Sequence, residues 1–299
     1  RGLALVAALL AGALLVALLG YSPVQMYGDM VSGAIGKTFI GLTKKGVLAF
    51  SASSQATMKI ATLLLITSLG LTMAFKMRFW NIGGEGQILV GAICSSAIAV
   101  YYGNTWPSWL LIGTMFLAGA IGGGLYGLLP AYCKARWGTN ETLFTLMLNY
   151  IAINFITFLQ YQPAWQMDGT SFPKIREFSE ATRLPAVLGV HVGWIIALLM
   201  AVLLYLYFTK TKQGYEVTVV GESANTARYA GMKVPHIILR TMFISGAICG
   251  FAGFLQVSGA DGTLTTDSAG GAGFTAITVA WLSGMNPLLM ILYSAFIAI

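Results

Sequence analysis

The chain has 299 residues, 57% of them hydrophobic and 9% charged, with a mean hydropathy of +0.77 and a formal net charge of +7. A water-facing surface needs roughly a quarter charged residues, so a soluble globular domain is excluded and the outer face must meet lipid. Long strictly alternating segments are missing, which excludes an outer-membrane barrel, and the cations are scattered at the ends of apolar runs rather than clustered as nucleic-acid binding requires.

Apolar runs follow one another at residues 3–19, 58–75, 84–102, 109–132, 143–160, 192–208, 237–257, 274–285 and 288–299. A helix needs about 20 apolar residues to cross hydrocarbon. The pattern therefore predicts an all-α polytopic membrane protein with at least nine spans, one short and one cut off. The first run has the apolarity of a secretory signal but no small-residue cleavage site, and it is read as a span. The sequence opens at Arg1 without a methionine and stops at Ile299 inside an apolar run, so both ends are expected to continue in a longer protein. The longest connections cover residues 21–57, 161–191 and 209–236. None can hold an independent catalytic core, and residues 1–299 read as a single transmembrane domain. Cys94, Cys133 and Cys249 lie in or beside the runs without disulfide or metal-ligand spacing.

Cations set the orientation. Lys76 and Arg78, Lys134 and Arg136, then Lys210, Lys212, Arg228, Lys233 and Arg240 fall in loops that share one side if the runs alternate, and Arg1 joins them. That side is read as cytoplasmic, which places loop 209–236 inside and loop 161–191 outside. Lys37, Lys44, Lys45, Lys174, Arg176 and Arg183 lie opposite, mixed with acids. Trp106, Trp109, Trp165 and Trp194 fall near the outer boundaries. Gly119, Gly123 and Gly127 recur every fourth residue, as do Gly246 and Gly250. Such stripes let two membrane helices approach closely, so they point to a packed bundle.

Chemistry can reside in few places. In Asn81-Ile82-Gly83-Gly84-Glu85-Gly86-Gln87 a carboxylate and two amides stand among glycines at the start of a span. Charge in a membrane normally faces a cavity or a partner. The stretch reads either as a bend lining a polar pathway, or as a helix start with Asn81 as cap and Glu85 near the positive helix end. Asn149 and Asn154 interrupt the fifth run, where inter-helix hydrogen bonds are their expected work. Glu141 suits the dipole of its own helix start. In the inner loop, Ser223 through Gly231 has a cap residue, helix-favouring alanines and a terminating glycine. It predicts a short surface helix, either a lever for a cytoplasmic partner or a segment lying along the interface. Gly270-Gly271-Ala272-Gly273-Phe274 precedes a run too short to span, which ends at Asn286-Pro287. Short, glycine-broken spans often mark solute sites, and Phe274 and Thr275 are then expected to face the pathway. Asp261 and Asp267 are read as ordinary outer-loop residues, and His191 and His236 as flanking groups without metal-ligand company. Gly36-Lys37-Thr38 imitates the end of a phosphate-binding loop, but Val31 stands where that motif needs glycine. No catalytic constellation appears, so the chain is not read as an enzyme.

Three of these stretches together carry a resemblance: residues 81–87, Val220-Gly221-Glu222-Ser223 through Tyr229-Ala230-Gly231, and Gly273-Phe274-Thr275-Ala276-Ile277 with Asn286-Pro287. They resemble the branched-chain amino acid, ribose and nucleoside permeases of ABC importers, with the first motif and Thr145-Leu146-Met147-Leu148-Asn149-Tyr150 nearest the nucleoside, lipoprotein-partnered branch. The likeness runs from about Met58 to Pro287; Trp80 and Met232 vary around the motif cores.

The resemblance implies a type II importer bundle, usually of ten helices, one of which lies beyond the C-terminal end. It implies a second permease subunit, often non-identical, a cytoplasmic ABC ATPase that binds the ATP and magnesium, and an extracytoplasmic solute-binding lipoprotein. The chain itself would hold no cofactor and sit in the bacterial inner membrane. Asn81, Glu85, Gln87, Asn149, Phe274 and Thr275 would line or shape the path, and Glu222, Asn225, Arg228, Tyr229 and Gly231 would couple to the ATPase. A sugar permease, an ion-coupled secondary transporter with broken helices and a channel subunit are the rival readings.

Overall fold

A chain segment in hydrocarbon has no water to satisfy its N–H and C=O groups, so the apolar runs must fold as helices. A computed structural model of the chain describes residues 2–36, 40–42, 48–167, 169 and 172–299. Arg1, Lys37, Thr38, Lys44 and Lys45, which entered the reading above, lie outside the described residues. The helices are α1 (Gly2–Leu18), α2 (Pro23–Ile35), α3 (Ala52–Lys76), α4 (Gly84–Tyr102), α5 (Ser108–Trp137), α6 (Glu141–Gln160), α7 (Gly193–Lys210), α8 (Lys212–Glu222), α9 (Ala224–Tyr229), α10 (Val234–Leu255), α11 (Ala272–Leu282) and α12 (Pro287–Ala298). Two small antiparallel pairs, β1 (Ile40–Leu42) with β2 (Leu48–Phe50) and β3 (Ala186–Val187) with β4 (Val190–His191), accompany the helices.

Every predicted run is helical, but not every run is long enough by itself to count as a full crossing. Among the described residues six helices, α3 to α7 and α10 with its extension to Asp261, are long and apolar enough to cross, or seven spans if the bent pair α1–α2 counts as one. That pair turns by 118°. Helix α11 has 11 residues, and at about 1.5 Å per residue it does not reach across ~30 Å of hydrocarbon; α12 covers Pro287–Ala298. The connection 21–57 is also corrected, because it contains α2. Ser22 caps that helix by accepting from the Gln25 N–H, Pro23 opens it, and Gly36 closes it at φ 77°.

Burial separates a centre from a rim. Inside the chain, 72%, 67% and 61% of the apolar windows of α3, α4 and α10 are buried, against 28%, 33% and 22% for α5, α6 and α7. Several polar residues of the central helices are returned to the backbone. The Thr62, Ser68 and Thr72 hydroxyls donate to carbonyls of their own helix at 2.7–2.8 Å, and Ser245 of α10 donates to the Gly70 carbonyl of α3 at 2.8 Å.

The two glycine stripes meet each other. A methyl at Gly123 of α5 would overlap the Gly246 carbonyl oxygen and lie 2.6 Å from the Gly250 Cα of α10. One at Gly250 would overlap the Gly119 carbonyl oxygen, and one at Gly253 the Ile88 carbonyl oxygen of α4. Backbone thus packs on backbone across α4, α5 and α10.

At the end carrying Lys76 and Arg78, Gly221 of α8 sits against the Lys76 carbonyl of α3, Arg240 pairs with Glu216 at 3.0 Å, and Lys134 pairs with Glu141 at 2.6 Å. At the opposite end, segment 161–191 is tied to the chain after α10. The Phe178 N–H donates to the Gly262 carbonyl, the Leu184 N–H to the Ser258 carbonyl, and the Ser258 hydroxyl to the Thr182 carbonyl.

Alanine ordinarily favours a helix over glycine, so Gly123→Ala isolates the clash. It is expected to destabilise the bundle by about 1–3 kcal/mol, read as a lower melting temperature in detergent. Gly113→Ala, which meets nothing within 4 Å, should hold or slightly raise the melting temperature.

Candidate functional site

The first N–H groups of a helix have no partner in their own turn, and α4 begins among glycines that offer no side chain. Its cap position, Gly83, makes no side-chain hydrogen bond. Asn81 turns back instead, its Oδ1 accepting from the Gly83 N–H at 3.0 Å, while its amide pairs reciprocally with that of Gln87 at 3.3 Å. Helix α6 provides the rest. Thr145 Oγ1 accepts from the Ile82 N–H at 3.2 Å, Asn149 Oδ1 accepts from the Gly86 N–H at 2.8 Å, and Asn149 Nδ2 donates to the Ile82 carbonyl at 3.0 Å. Asn154, by contrast, donates to the Tyr150 carbonyl of its own helix.

Glu85 does not cap its own helix. Its carboxylate reaches α11, where Gly270 and Gly271 adopt φ of 54° and 74° and the helix starts without a side-chain cap. Oε1 accepts from the Gly271 N–H at 2.8 Å and Oε2 from the Gly273 N–H at 2.7 Å. A Cβ at Gly273 would overlap the Glu85 backbone, so glycine is what lets the two helix starts touch. Charge-assisted bonds of this kind, at the positive end of a helix, are among the stronger ones a protein makes.

Helix α11 presents an open face of Phe274, Thr278 and Trp281, spaced four and three residues apart, with Thr275 half-buried beside it. Above its start lies a cavity of about 590 Å³, lined among others by Lys59, Gln256, Asp261, Asp267, Gly270 and Thr275. A six-residue π turn after α10, Gln256–Asp261, shapes this wall, with Gln256 donating to Asp261 Oδ1 at 2.9 Å. At the other end of α11 a hollow of about 490 Å³ is lined by Lys76, Arg78, Trp80, Thr218, Glu222 and Trp281, among others. Trp80 stacks on Trp281 with ring centroids 5.6 Å apart and planes 16° apart.

The second hollow is walled by α8, which leads into α9. Ser223 caps α9 by accepting from the Thr226 N–H at 3.2 Å, and Gly231 follows it at φ 78°. Ala227 is fully buried against an apolar patch with Met77, Phe79, Val217 and Val234. Glu222, Asn225, Arg228, Tyr229 and Gly231 are exposed, Tyr229 at 94%, and Arg228 donates to Asn225 at 3.2 Å. The short helix is therefore fastened by one side and open on the other.

Of the residues singled out in the sequence, Asn81, Glu85, Gln87 and Asn149 are brought together, all at most 6% exposed, with their polar groups engaged inside the chain. Their side chains brace the wall and do not face the open cavity. Phe274 and Thr275 follow Glu85's two partners directly. Sequence reading missed Gly271 and Gly273 as those partners, Thr145 as a cap, the Trp80–Trp281 stack, and Lys59, Gln256, Asp261 and Asp267 at the cavity. One signal was there: a helix start made only of glycine and alanine must borrow its cap. Among the described residues no group of three or more His, Cys, Asp or Glu could hold a metal ion.

Residues 53–299 match the family described as branched-chain amino acid transport system / permease component. The chain is 31% identical to a glucose ABC transporter permease protein of Haloferax volcanii over 99% of its own length and 77% of that protein's. It is 30% identical to a guanosine ABC transporter permease protein of Bacillus subtilis (94% and 78% covered) and 29% identical to a nucleoside ABC transporter permease protein of Lactococcus lactis (96% and 78%). The chain belongs to this permease family.

Glu85→Gln can keep at most one of the two bonds and turns an amide N–H toward a backbone donor. A loss of about 2–3 kcal/mol is expected, seen as faster hydrogen exchange at Gly271 and Gly273. Unchanged protection there would remove Glu85 as the cap.

Proposed function

From the premise of a permease component in this family, we propose that the chain is the membrane-spanning subunit of an ATP-binding cassette importer for a nucleoside. The observation that carries the reading is the open face of α11, which connects a polar cavity at one end with an aromatic hollow at the other, beside α8 and α9. Phe274 and Trp281 offer rings on which a base can stack, worth roughly 1–3 kcal/mol per base, and Thr275 offers a hydroxyl. Asn81, Glu85, Gln87 and Asn149 act as positioning residues that keep the broken helix in place. A sugar is the second reading, favoured by the likeness to a glucose permease protein.

The end bearing Lys76, Arg78, Lys134 and Lys210 faces the cytoplasm of a bacterial cell. There a partner ATPase, which binds ATP and magnesium, seats on the exposed face of α9 through Asn225, Arg228 and Tyr229, with Glu222 and Gly231 at its edges. Because Ala227 is buried against α3, α8 and α10, displacement of α9 is transmitted to the helices that wall the path. A second permease subunit faces the open side of α11, and an extracytoplasmic binding lipoprotein delivers solute to the segment around residues 161–191. Access alternates between the two faces as the ATPase closes and opens.

The test is ATP-dependent uptake in vesicles reconstituted with the ATPase, the partner permease and the binding protein, competed by nucleosides, ribose and glucose. Competition by nucleosides is expected. Uptake that survives without ATP and collapses with an ion gradient would assign a secondary transporter. Arg228→Glu should lower uptake at least about tenfold while ATP hydrolysis continues, since a reversed charge at a contact costs several kcal/mol; unchanged uptake would remove α9 as the lever.

A further inference from the structure

The cavity above α11 has a charge pattern that the transport reading alone does not explain. Its described lining holds one cation, Lys59, against two carboxylates, Asp261 and Asp267, with Gln256, Ser268 and Thr275 as further polar groups. Its floor is the start of α11, where Gly270, Ala272 and Thr275 line the space. A helix that begins inside a membrane protein presents unpaired N–H groups and a positive dipole end, which ordinarily attract an anionic solute. In this chain Glu85 already holds the Gly271 and Gly273 N–H groups from beneath, at 2.8 and 2.7 Å, and is itself 6% exposed.

We propose that this cavity is an anion-excluding subsite for an uncharged, hydroxyl-bearing ring, with Asp261 and Asp267 as acceptors for its hydroxyls and Glu85 closing the floor to carboxylates and phosphates. The proposal rests on the transport reading and adds which solutes the path admits. A carboxylate accepts from hydroxyl donors, so the two aspartates suit a ribose or hexose ring. A phosphorylated or carboxylated analogue would meet a net negative wall, which repels it, and find no free helix start. Asp261 is already oriented by Gln256 at 2.9 Å and by the Ser268 side chain, and a carboxylate has lone pairs left to accept from a solute hydroxyl. Lys59, on the α3 side of the same cavity, keeps the wall from being purely acidic and can donate to a ring or base oxygen.

The experiment measures the local potential directly and does not depend on the choice made by a binding protein. In the assembled transporter, Thr275→Cys places a thiol in the cavity with little change of volume. Its modification rates by a cationic, an anionic and a neutral methanethiosulfonate are compared with those of a free thiol, after subtracting the reaction of Cys94, Cys133 and Cys249 in the parent chain. The cationic reagent should be favoured over the anionic one by roughly tenfold beyond the free-thiol ratio. Adding Asp261→Asn and Asp267→Asn should bring that ratio to one or below, since Lys59 is then the remaining charge of the lining, and Lys59→Gln in the parent should raise it. Asp267 is exposed, so Asp267→Asn alone keeps the fold and should give an intermediate fall. A parent ratio at or below one, or a ratio indifferent to both aspartates, overturns the charge filter and leaves the transport reading standing. A thiol that reacts with none of the three reagents removes the proposal together with the placing of the path along α11.

Discussion

A backbone amide that begins a helix away from water must find an acceptor, and this chain meets that requirement with side chains lent by neighbouring helices. Asn149 and Thr145 of α6 satisfy the start of α4, and Glu85 of α4 satisfies the start of α11. The relay places two glycine-rich helix starts in contact, which no larger residue would allow at Gly273. It also explains how a helix of 11 residues persists without spanning the bilayer: its exposed donors are matched by a carboxylate in a setting where an unmatched one would cost several kcal/mol.

Around that relay, the bundle is held by approach rather than by bulk. Lipid is as apolar as a leucine side chain, so membrane helices gain little from hydrophobic burial and associate through close van der Waals contact. The stripes on α5 and α10 bring backbone atoms together, leaving α3, α4 and α10 as a dense centre. The larger exposed residues of α5, α6 and α7, such as Leu117, Leu125, Phe155 and Leu203, face outward as lipid requires.

The same economy appears where α9 meets the bundle. A six-residue helix is too short to persist alone, and Ala227 is the contact that fixes it, between the ends of α3 and α10 and the side of α8. The Lys76 and Gly221 backbones touch at this junction. The aromatic hollow under Trp80 and Trp281 therefore shares its walls with α8, so a displacement of α9 and α8 changes the shape of that hollow. On the proposed reading, solute path and partner-facing surface are then mechanically adjacent, which is what coupling between two sites needs in physical terms.

Hydropathy alone determined the helical class, the nine apolar runs and the membrane setting, because lipid leaves so few ways to satisfy a backbone. Local chemistry located α9, whose cap Ser223 and stop Gly231 are readable in a line of text, and the spacing of Gly119, Gly123, Gly127, Gly246 and Gly250 announced close packing. Helix α2 was legible too, from Ser22, Pro23 and Gly36, though it was overlooked. What the runs could not decide was how many of them cross, since α11 is shorter than a full span and α1 bends into α2. Nor could they disclose that Glu85 serves a helix 186 residues away, or that Lys59, Gln256, Asp261 and Asp267 share a cavity. Periodicity reports which face of one helix is apolar. Which donor meets which acceptor across the bundle depends on tilt and depth, and only the tertiary structure sets those.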